Sequence, residues 1–225
     1  MPRTARASRG GVCHHVMSRA NRREVVFHDA TDYMAFEDSM RRACDRLSMR
    51  ILAWCLMPTH FHLVLNPYDD GDLGRWMHRL LTRHVQRHRR RYDTEGRIWQ
   101  GRFKAPPIQQ DNHLLTVLRY VERNPLRAGL VKRAEDWPWS SLPRRIYALP
   151  DDLLSPSPVP LPENWIDFVN QPLTASELEE VRRCTRREIP YGDPAWTKGT
   201  AERLTLNAAP RRRGRPRAWE PCRRT

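Results

Sequence analysis

Two apolar runs joined by two residues constrain the fold of this chain more than any other feature. Arg50 to Met57 reads Arg-Ile-Leu-Ala-Trp-Cys-Leu-Met; Pro58-Thr59 follows, and then His60-Phe61-His62-Leu63-Val64-Leu65-Asn66. Runs of this length separated by a tight, proline-bearing link read as an antiparallel hairpin. Side chains alternate across a strand, so His60, His62 and Val64 share one face while Phe61, Leu63 and Leu65 share the other. The odd-numbered face is purely apolar and is expected to pack under helices. The even-numbered face opens with two imidazoles whose nitrogens can converge on one ion.

The flanking segments can be placed by the same periodicities. His14 to Ser18 can form a first strand, followed by the polar turn Arg19-Ala20-Asn21-Arg22-Arg23. A first helix is expected from a cap at Thr31 or Asp32 to about Leu47, with Tyr33, Phe36, Met40, Ala43 and Leu47 at helical spacing. Asp72 is expected to cap a second helix to about Tyr92, with Leu73, Trp76, Met77, Leu80, Leu81 and Val85 as its apolar stripe. Ile98 to Ala105 is extended and continues as a strand through Ile108. Asp111 caps a third helix reaching Asn124, where Pro125 argues for a break. The order is β-α-β-β-α-β-α, an α+β chain with a ferredoxin-like β-α-β-β-α-β core and an added helix.

Beyond Trp137-Pro138-Trp139-Ser140-Ser141 the composition changes. Prolines at 143, 150, 156, 158, 160 and 162 mark a loop-rich connector. Thr174 and Glu177 form a capping box at the head of a helix, and a further helix is expected over Ala195 to Leu206. Three regions follow: residues 1–142 as the principal domain, 143–207 as a Pro-rich connector with a small helical C-terminal extension, and 208–225 as a basic tail with no capacity for a core.

Charge narrows the partners. Forty Lys and Arg against 26 Asp and Glu leave +14, with arginine far outnumbering lysine. Arginine forks pair bidentately with phosphates, so nucleic acid is the leading partner. No run approaches a transmembrane helix and no charged-then-apolar leader opens the chain, so no membrane partner is expected. The five cysteines are scattered and lack a C-x-x-C pair, which argues for a reducing compartment and against structural zinc or a disulfide framework. The expectation is a cytoplasmic protein that handles DNA or RNA.

The second helix carries Arg75, Arg79, Arg83, Arg87 and Arg91 at every fourth position. Like charges at that spacing destabilise a free helix by roughly 0.2–0.5 kcal/mol per pair, and a phosphate backbone would offset the repulsion. A solvated face usually mixes signs, and no acid along this stripe relieves it. Arg102 and Lys104 are plausible further contacts. Trp99 and Phe103 could stack on bases or belong to the core. In the tail, Arg213-Gly214-Arg215-Pro216-Arg217 reads either as an AT-hook-like core or as a generic basic extension.

Tyr120 and Asn124 are four apart and therefore share a helical face, beside the core stripe of Leu114, Val117, Leu118 and Val121. Asparagine oxygen suits Mg²⁺ or Mn²⁺ alongside imidazoles. Histidine pairs on half-exposed strands are common and rim tyrosines are ordinary, so spacing alone leaves both readings open. His78, His84 and His88 lie on the arginine helix and are not expected to be ligands. His113 sits two turns from Tyr120, too far for the same ion. Glu122 points away from the Tyr120 face and has no assigned role.

The motifs taken together are more specific. His60-Phe61-His62, the run Arg119-Tyr120-Val121-Glu122-Arg123-Asn124-Pro125-Leu126-Arg127-Ala128-Gly129-Leu130-Val131, and the segments Met57-Pro58-Thr59-His60, Trp99-Gln100-Gly101-Arg102-Phe103 and Trp137 to Ser141 resemble the HUH single-tyrosine transposases. Within these, the chain most resembles the REP-associated tyrosine transposases, over roughly residues 12–142 and more loosely beyond. The resemblance implies that residues 1–142 are a transposase/nuclease domain cleaving single-stranded DNA at hairpin-forming repeats. It implies Tyr120 as nucleophile, giving a 5′-phosphotyrosine, with His60, His62 and Asn124 holding Mg²⁺ or Mn²⁺. A free phenol titrates near pH 10, so a neighbouring cation must favour its ionised form. No small-molecule substrate is implied, the chain would act as monomer or homodimer, and the setting would be the bacterial nucleoid. Two other classes compete: a catalytically idle, sequence-specific DNA-binding regulator on the same scaffold, and an RNA-binding ferredoxin-like module, whose aromatic RNP strand pattern is absent.

Overall fold

In the computed structural model, residues 8–147 and 153–204 are described. The strands are β1 (Cys13–Arg19), β2 (Met49–Met57), β3 (His60–Pro67) and β4 (Pro107–Ile108), and they pair antiparallel in the order β2-β3-β1-β4. Helix α1 (Ala30–Arg46) joins β1 to β2, and α2 (Asp72–Tyr92) joins β3 to β4. This is the ferredoxin-like order, and α3 (Asn112–Glu122) is the added helix.

Strands β2 and β3 are apolar along most of their length because both faces of the sheet are covered. Phe61, Leu63 and Leu65 join Ile51, Trp54 and Leu56 under α1 and α2, against Phe36, Met40, Trp76 and Leu80. On the other face Val64 meets Leu114, Val117 and Val121 of α3. A register shift between Ile51 and Ala53 sends both Leu52 and Ala53 to that second face. One inserted residue thus lets a single strand fill two cores.

The helix termini differ from expectation in three places. Asp29, not Thr31 or Asp32, caps α1, its carboxylate accepting from the amides of Thr31 and Asp32. Gly71 caps α2 at φ 81°, a left-handed conformation that glycine adopts freely, and Asp72 is the first helical residue. Its carboxylate instead accepts from the amide of Asp69 at 3.1 Å. Helix α3 stops at Glu122, and Asn124 opens the short α4 (Asn124–Arg127), with Pro125 in its first turn.

The C-terminal third folds onto the same sheet through α5 (Ser141–Ile146), α6 (Trp165–Asn170), α7 (Ala175–Arg187) and α8 (Pro194–Arg203). The capping box of α7 forms as expected, with Thr174 and Glu177 each bonding the other's backbone amide. Both sheet edges are closed by this region. The Trp137–Ser141 segment docks on β2, where the Leu56 amide donates to the Trp139 carbonyl and the Trp137 indole donates to the Leu56 carbonyl, each at 2.9 Å. At the far edge the Tyr191 amide donates to the Pro107 carbonyl and the Gln109 amide to the Tyr191 carbonyl. Covered edges cannot recruit foreign strands. Among the described residues no helix is long and apolar enough to cross a membrane.

His84 of α2 lies in the first core between Phe27, Phe36 and Trp99. Burial, reinforced by His88, lowers its pKa to about 3. Between pH 6.5 and 3 the unfolded chain takes up a proton at this site that the folded chain refuses, so stability falls as pH falls. By pH 5 that amounts to about 2 kcal/mol. Between pH 7.5 and 5, urea unfolding of His84→Met should lose about 2 kcal/mol less stability than the parent does; an equal loss would refute the assignment.

Candidate active site at the second face of the sheet

His60 and His62 stand on the face of β3 that α3 covers. Antiparallel pairing puts Arg19 opposite His60, Met17 opposite His62 and His15 opposite Val64. His15 therefore shares their face. The rings of His60 and His62 are 5.1 Å apart at 84°. Tyr120 reaches down from α3, its ring 5.6 Å from His62 and 5.7 Å from His15, edge-on to both. The structure thus brings together the histidine pair and the tyrosine, with a third imidazole beside them.

All three imidazoles are driven toward the neutral form. Burial, with Arg19 and Arg127 nearby, lowers the pKa of His60 to about 4, and burial alone brings His15 to about 4. His62 lies well below its ordinary value through burial and then through its histidine and arginine neighbours. A neutral imidazole is what a metal requires. His60 Nδ1 meets Thr59 Oγ1 at 3.0 Å, and His62 Nδ1 meets His15 Nε2 at 2.9 Å, so each ring keeps Nε2 for a ligand. This donor pair fits a divalent cation. No three His, Cys, Asp or Glu side chains gather as a metal site among the described residues, so oxygen ligands would have to complete the set.

Asn124 is fully buried and its side chain is already engaged. Nδ2 donates to the Tyr120 carbonyl at 3.0 Å, and Oδ1 accepts from Arg127 Nη2 at 2.6 Å. The first bond keeps Asn124 one turn beneath Tyr120 although the helix has broken between them. The Arg127 guanidinium also lies 5.8 Å from the Tyr120 ring. Arg19 and Arg127 therefore bring two cations toward the histidines and the phenol, an arrangement that suits a phosphodiester.

Helix α3 is anchored from behind by residues of the C-terminal third. Glu122 accepts from Ser141 Oγ at 2.6 Å, from Arg145 Nη2 at 3.2 Å and from Trp165 Nε1 at 2.8 Å. Arg119 donates to Glu177 at 2.9 Å and lies 4.3 Å from the Phe168 ring. The capping-box glutamate of α7 thus also holds α3.

The arginine stripe lies elsewhere. Helix α2 packs on the opposite face of the sheet, so Arg75, Arg79, Arg83 and Arg87 stand across it from Tyr120. The stripe is not unrelieved, because acids arrive from α1 and its cap: Asp38 pairs with Arg83 at 3.3 Å, and Asp29 and Asp32 pair with Arg91. Arg75 pairs with Asp72 of its own helix, and Arg87 donates to the Thr31 carbonyl at 3.3 Å. Between α1 and α2 a groove of about 380 Å³ is lined by Arg42, Arg46, Arg79 and Arg83, with Asp45. Lys104 donates to the Arg186 carbonyl at 3.0 Å and faces Glu188 at 3.6 Å. Arg102 lies beside Phe103, 6.0 Å from its ring. Trp99 and Phe103 are core residues of the first face. His113 is bonded to Asp111 and set against Tyr191. Arg213, Arg215 and Arg217 lie outside the described residues.

Four residues of this site carried no role in sequence: His15, Arg19, Arg127 and Thr185. The alternation of β1 puts His15 and Arg19 on one face, but only the register with β3 says which face. Thr185 arrives from α7, where its hydroxyl meets His15 Nδ1 at 3.1 Å, and nothing local signals it.

The chain is similar to known proteins over the sheet and its helices. The family model described as transposase, IS200-like, matches residues 10–124. A putative REP-associated tyrosine transposase of Haemophilus influenzae is 31% identical over 130 residues, covering 52% of this chain and 73% of that protein. The REP-associated tyrosine transposase of Escherichia coli is 26% identical over 140 residues, covering 61% of this chain and 80% of that one. A solved structure of a REP-associated tyrosine transposase bound to a REP hairpin superimposes with a TM-score of 0.55 at 23% identity, covering 69% of this chain and 92% of that one.

Proposed function

The chain belongs to the IS200-like transposase family, and from that premise we propose that it is a metal-dependent, single-strand DNA endonuclease and strand-transferase acting at hairpin-forming repeats. The observation that carries this reading is the approach of Tyr120 to within 5.6 Å of His62 on the face that also holds His60. Its relatives from Haemophilus influenzae and Escherichia coli carry the name REP-associated tyrosine transposase, which favours a repeat hairpin as the DNA.

His60 and His62 would hold Mg²⁺ or Mn²⁺ through Nε2, and Asn124 would offer the second lone pair of Oδ1, the first being used by Arg127. Bound there, the cation supplies Lewis acidity toward a non-bridging phosphate oxygen. Arg19 and Arg127 orient the phosphodiester by charge. Tyr120 Oη attacks phosphorus, forming a P–O bond to the 5′ side and breaking the bond to the 3′ oxygen. The phenol loses its proton and the departing 3′ oxygen gains one. The bond energy stays in the phosphotyrosine, so a 3′-hydroxyl from another strand can reverse the step and complete transfer without ATP.

The arginines of α2 stand across the sheet from Tyr120 and would engage DNA away from the scissile phosphate, through the groove they share with α1. Arg102, Lys104 and the tail arginines Arg213, Arg215 and Arg217 would add salt-sensitive affinity. Residues 1–142 would carry the chemistry, and the C-terminal extension would support the site and its DNA.

The test incubates the protein with end-labelled single strands bearing a repeat hairpin, with and without Mn²⁺. A labelled band that survives denaturation and migrates with the protein, and that requires Mn²⁺, is the expected result. Hairpin binding with no adduct across suitable repeats would favour the idle DNA-binding regulator instead.

A further inference from the structure

His62 is tied to the C-terminal extension by a chain of hydrogen bonds whose proton directions can be assigned one at a time. Thr185 on α7 donates its hydroxyl proton to the Val181 carbonyl one turn back, at 2.8 Å. A hydroxyl has one proton, so toward His15 Nδ1, 3.1 Å away, Thr185 Oγ1 can only accept. The proton of the His15 ring therefore sits on Nδ1, and Nε2 carries the lone pair. That Nε2 lies 2.9 Å from His62 Nδ1, which must then be the donor. The two rings are within 20° of parallel with centroids 5.1 Å apart, as an in-line N–H···N bond requires. Donating from Nδ1 leaves His62 with its lone pair on Nε2.

We propose that His15 and Thr185 are positioning residues that hold His62 as its Nδ1-protonated tautomer and so present Nε2 to a divalent cation. The proposal rests on the reading of His60 and His62 as metal ligands, and it gives the C-terminal extension a part in the site. His60 has no such control. Thr59 Oγ1 makes no second hydrogen bond among the described residues and can meet His60 Nδ1 as donor or acceptor. One ligand is therefore preset and the other adjusts. The partners that fix a ligating histidine are ordinarily worth 10–100-fold in metal affinity.

Long-range proton–nitrogen correlation spectra of the metal-free protein read the tautomers directly. The expected pattern places protons on Nδ1 of both His15 and His62 in the parent chain. Thr185→Val keeps the shape of a buried side chain but removes the acceptor; it should mix the tautomers of both rings and weaken Mn²⁺ binding about tenfold by electron spin resonance. Thr185→Ser retains the hydroxyl and should restore both readouts. A parent protein with His62 protonated on Nε2, or a Thr185→Val protein with unaltered tautomers, would overturn the proposal. A parent protein with the expected tautomers that takes up no Mn²⁺ would support the relay and count against the metal reading alone.

Discussion

Tyr120→Phe should abolish the covalent protein–DNA adduct while leaving the fold and hairpin affinity unchanged. The ring is largely enclosed, 7% exposed, and its edge-on contacts with His15 and His62 are made by carbon that phenylalanine retains. The hydroxyl forms no hydrogen bond among the described residues, so its removal strands no partner. The stability change should stay within about 1 kcal/mol, since neither a cavity nor an unsatisfied group is created. Strand cleavage should fall by roughly 10⁴-fold or more, the scale on which loss of a covalent nucleophile acts. Denaturing gels of labelled strands read the chemistry, and gel shifts under native conditions read the binding. Cleavage at the parent rate by Tyr120→Phe would move the nucleophile elsewhere and return Tyr120 to an ordinary packing role.

The parts of this site that could be read in the sequence are those governed by short-range periodicity. Alternation along β3 assigns Phe61, Leu63 and Leu65 to one face and His60 and His62 to the other; the three apolar residues lie in the first core, and His62 meets Tyr120 and His60 on the second face. Spacing along α3 put Asn124 one turn from Tyr120, and Asn124 stays there through its bond to the Tyr120 carbonyl. The capping box of Thr174 and Glu177 was equally local. What escaped depends on elements distant in the chain. His15 meets Thr185 across 170 positions, a contact that no window of residues contains. Apart from Arg75, which pairs with Asp72 of its own first turn, the α2 arginines with acidic partners find them on α1 and its cap, Asp38 for Arg83 and Asp29 and Asp32 for Arg91, which no reading along α2 shows. Which face of the sheet each helix would cover was also invisible, and that placement separates the arginine stripe from Tyr120.

Glu122 was without a role in sequence because it points away from Tyr120, and that orientation is what makes it structurally costly to remove. Its carboxylate is 0% exposed and joins three segments: Ser141 and Arg145 beside the β2 edge, Trp165 of α6, and α3 itself. Glu122→Ala leaves the Trp165 indole N–H without its acceptor, leaves the Ser141 hydroxyl only the Trp54 carbonyl at 3.3 Å, and takes the counter-charge from Arg145, whose side chain is only 13% exposed and keeps the Leu52 carbonyl. Breaking a buried ion pair from one side costs about 3–5 kcal/mol, because the remaining charge is stranded. The urea midpoint should fall accordingly, and activity should fall with it, since α3 carries Tyr120. Glu122→Gln is the sharper probe: its amide keeps one acceptor oxygen but must turn an NH₂ either toward the Trp165 N–H or toward Arg145 and Ser141, donor against donor. A cost on the order of 2 kcal/mol is expected. Pairing Glu122→Leu with Arg145→Met should recover part of the Glu122→Ala loss, because it removes the stranded charge as well as the carboxylate. If Glu122→Ala unfolds within about 1 kcal/mol of the parent, the carboxylate is not the joint between α3 and the C-terminal third, and Arg119 with Glu177 must hold that interface instead.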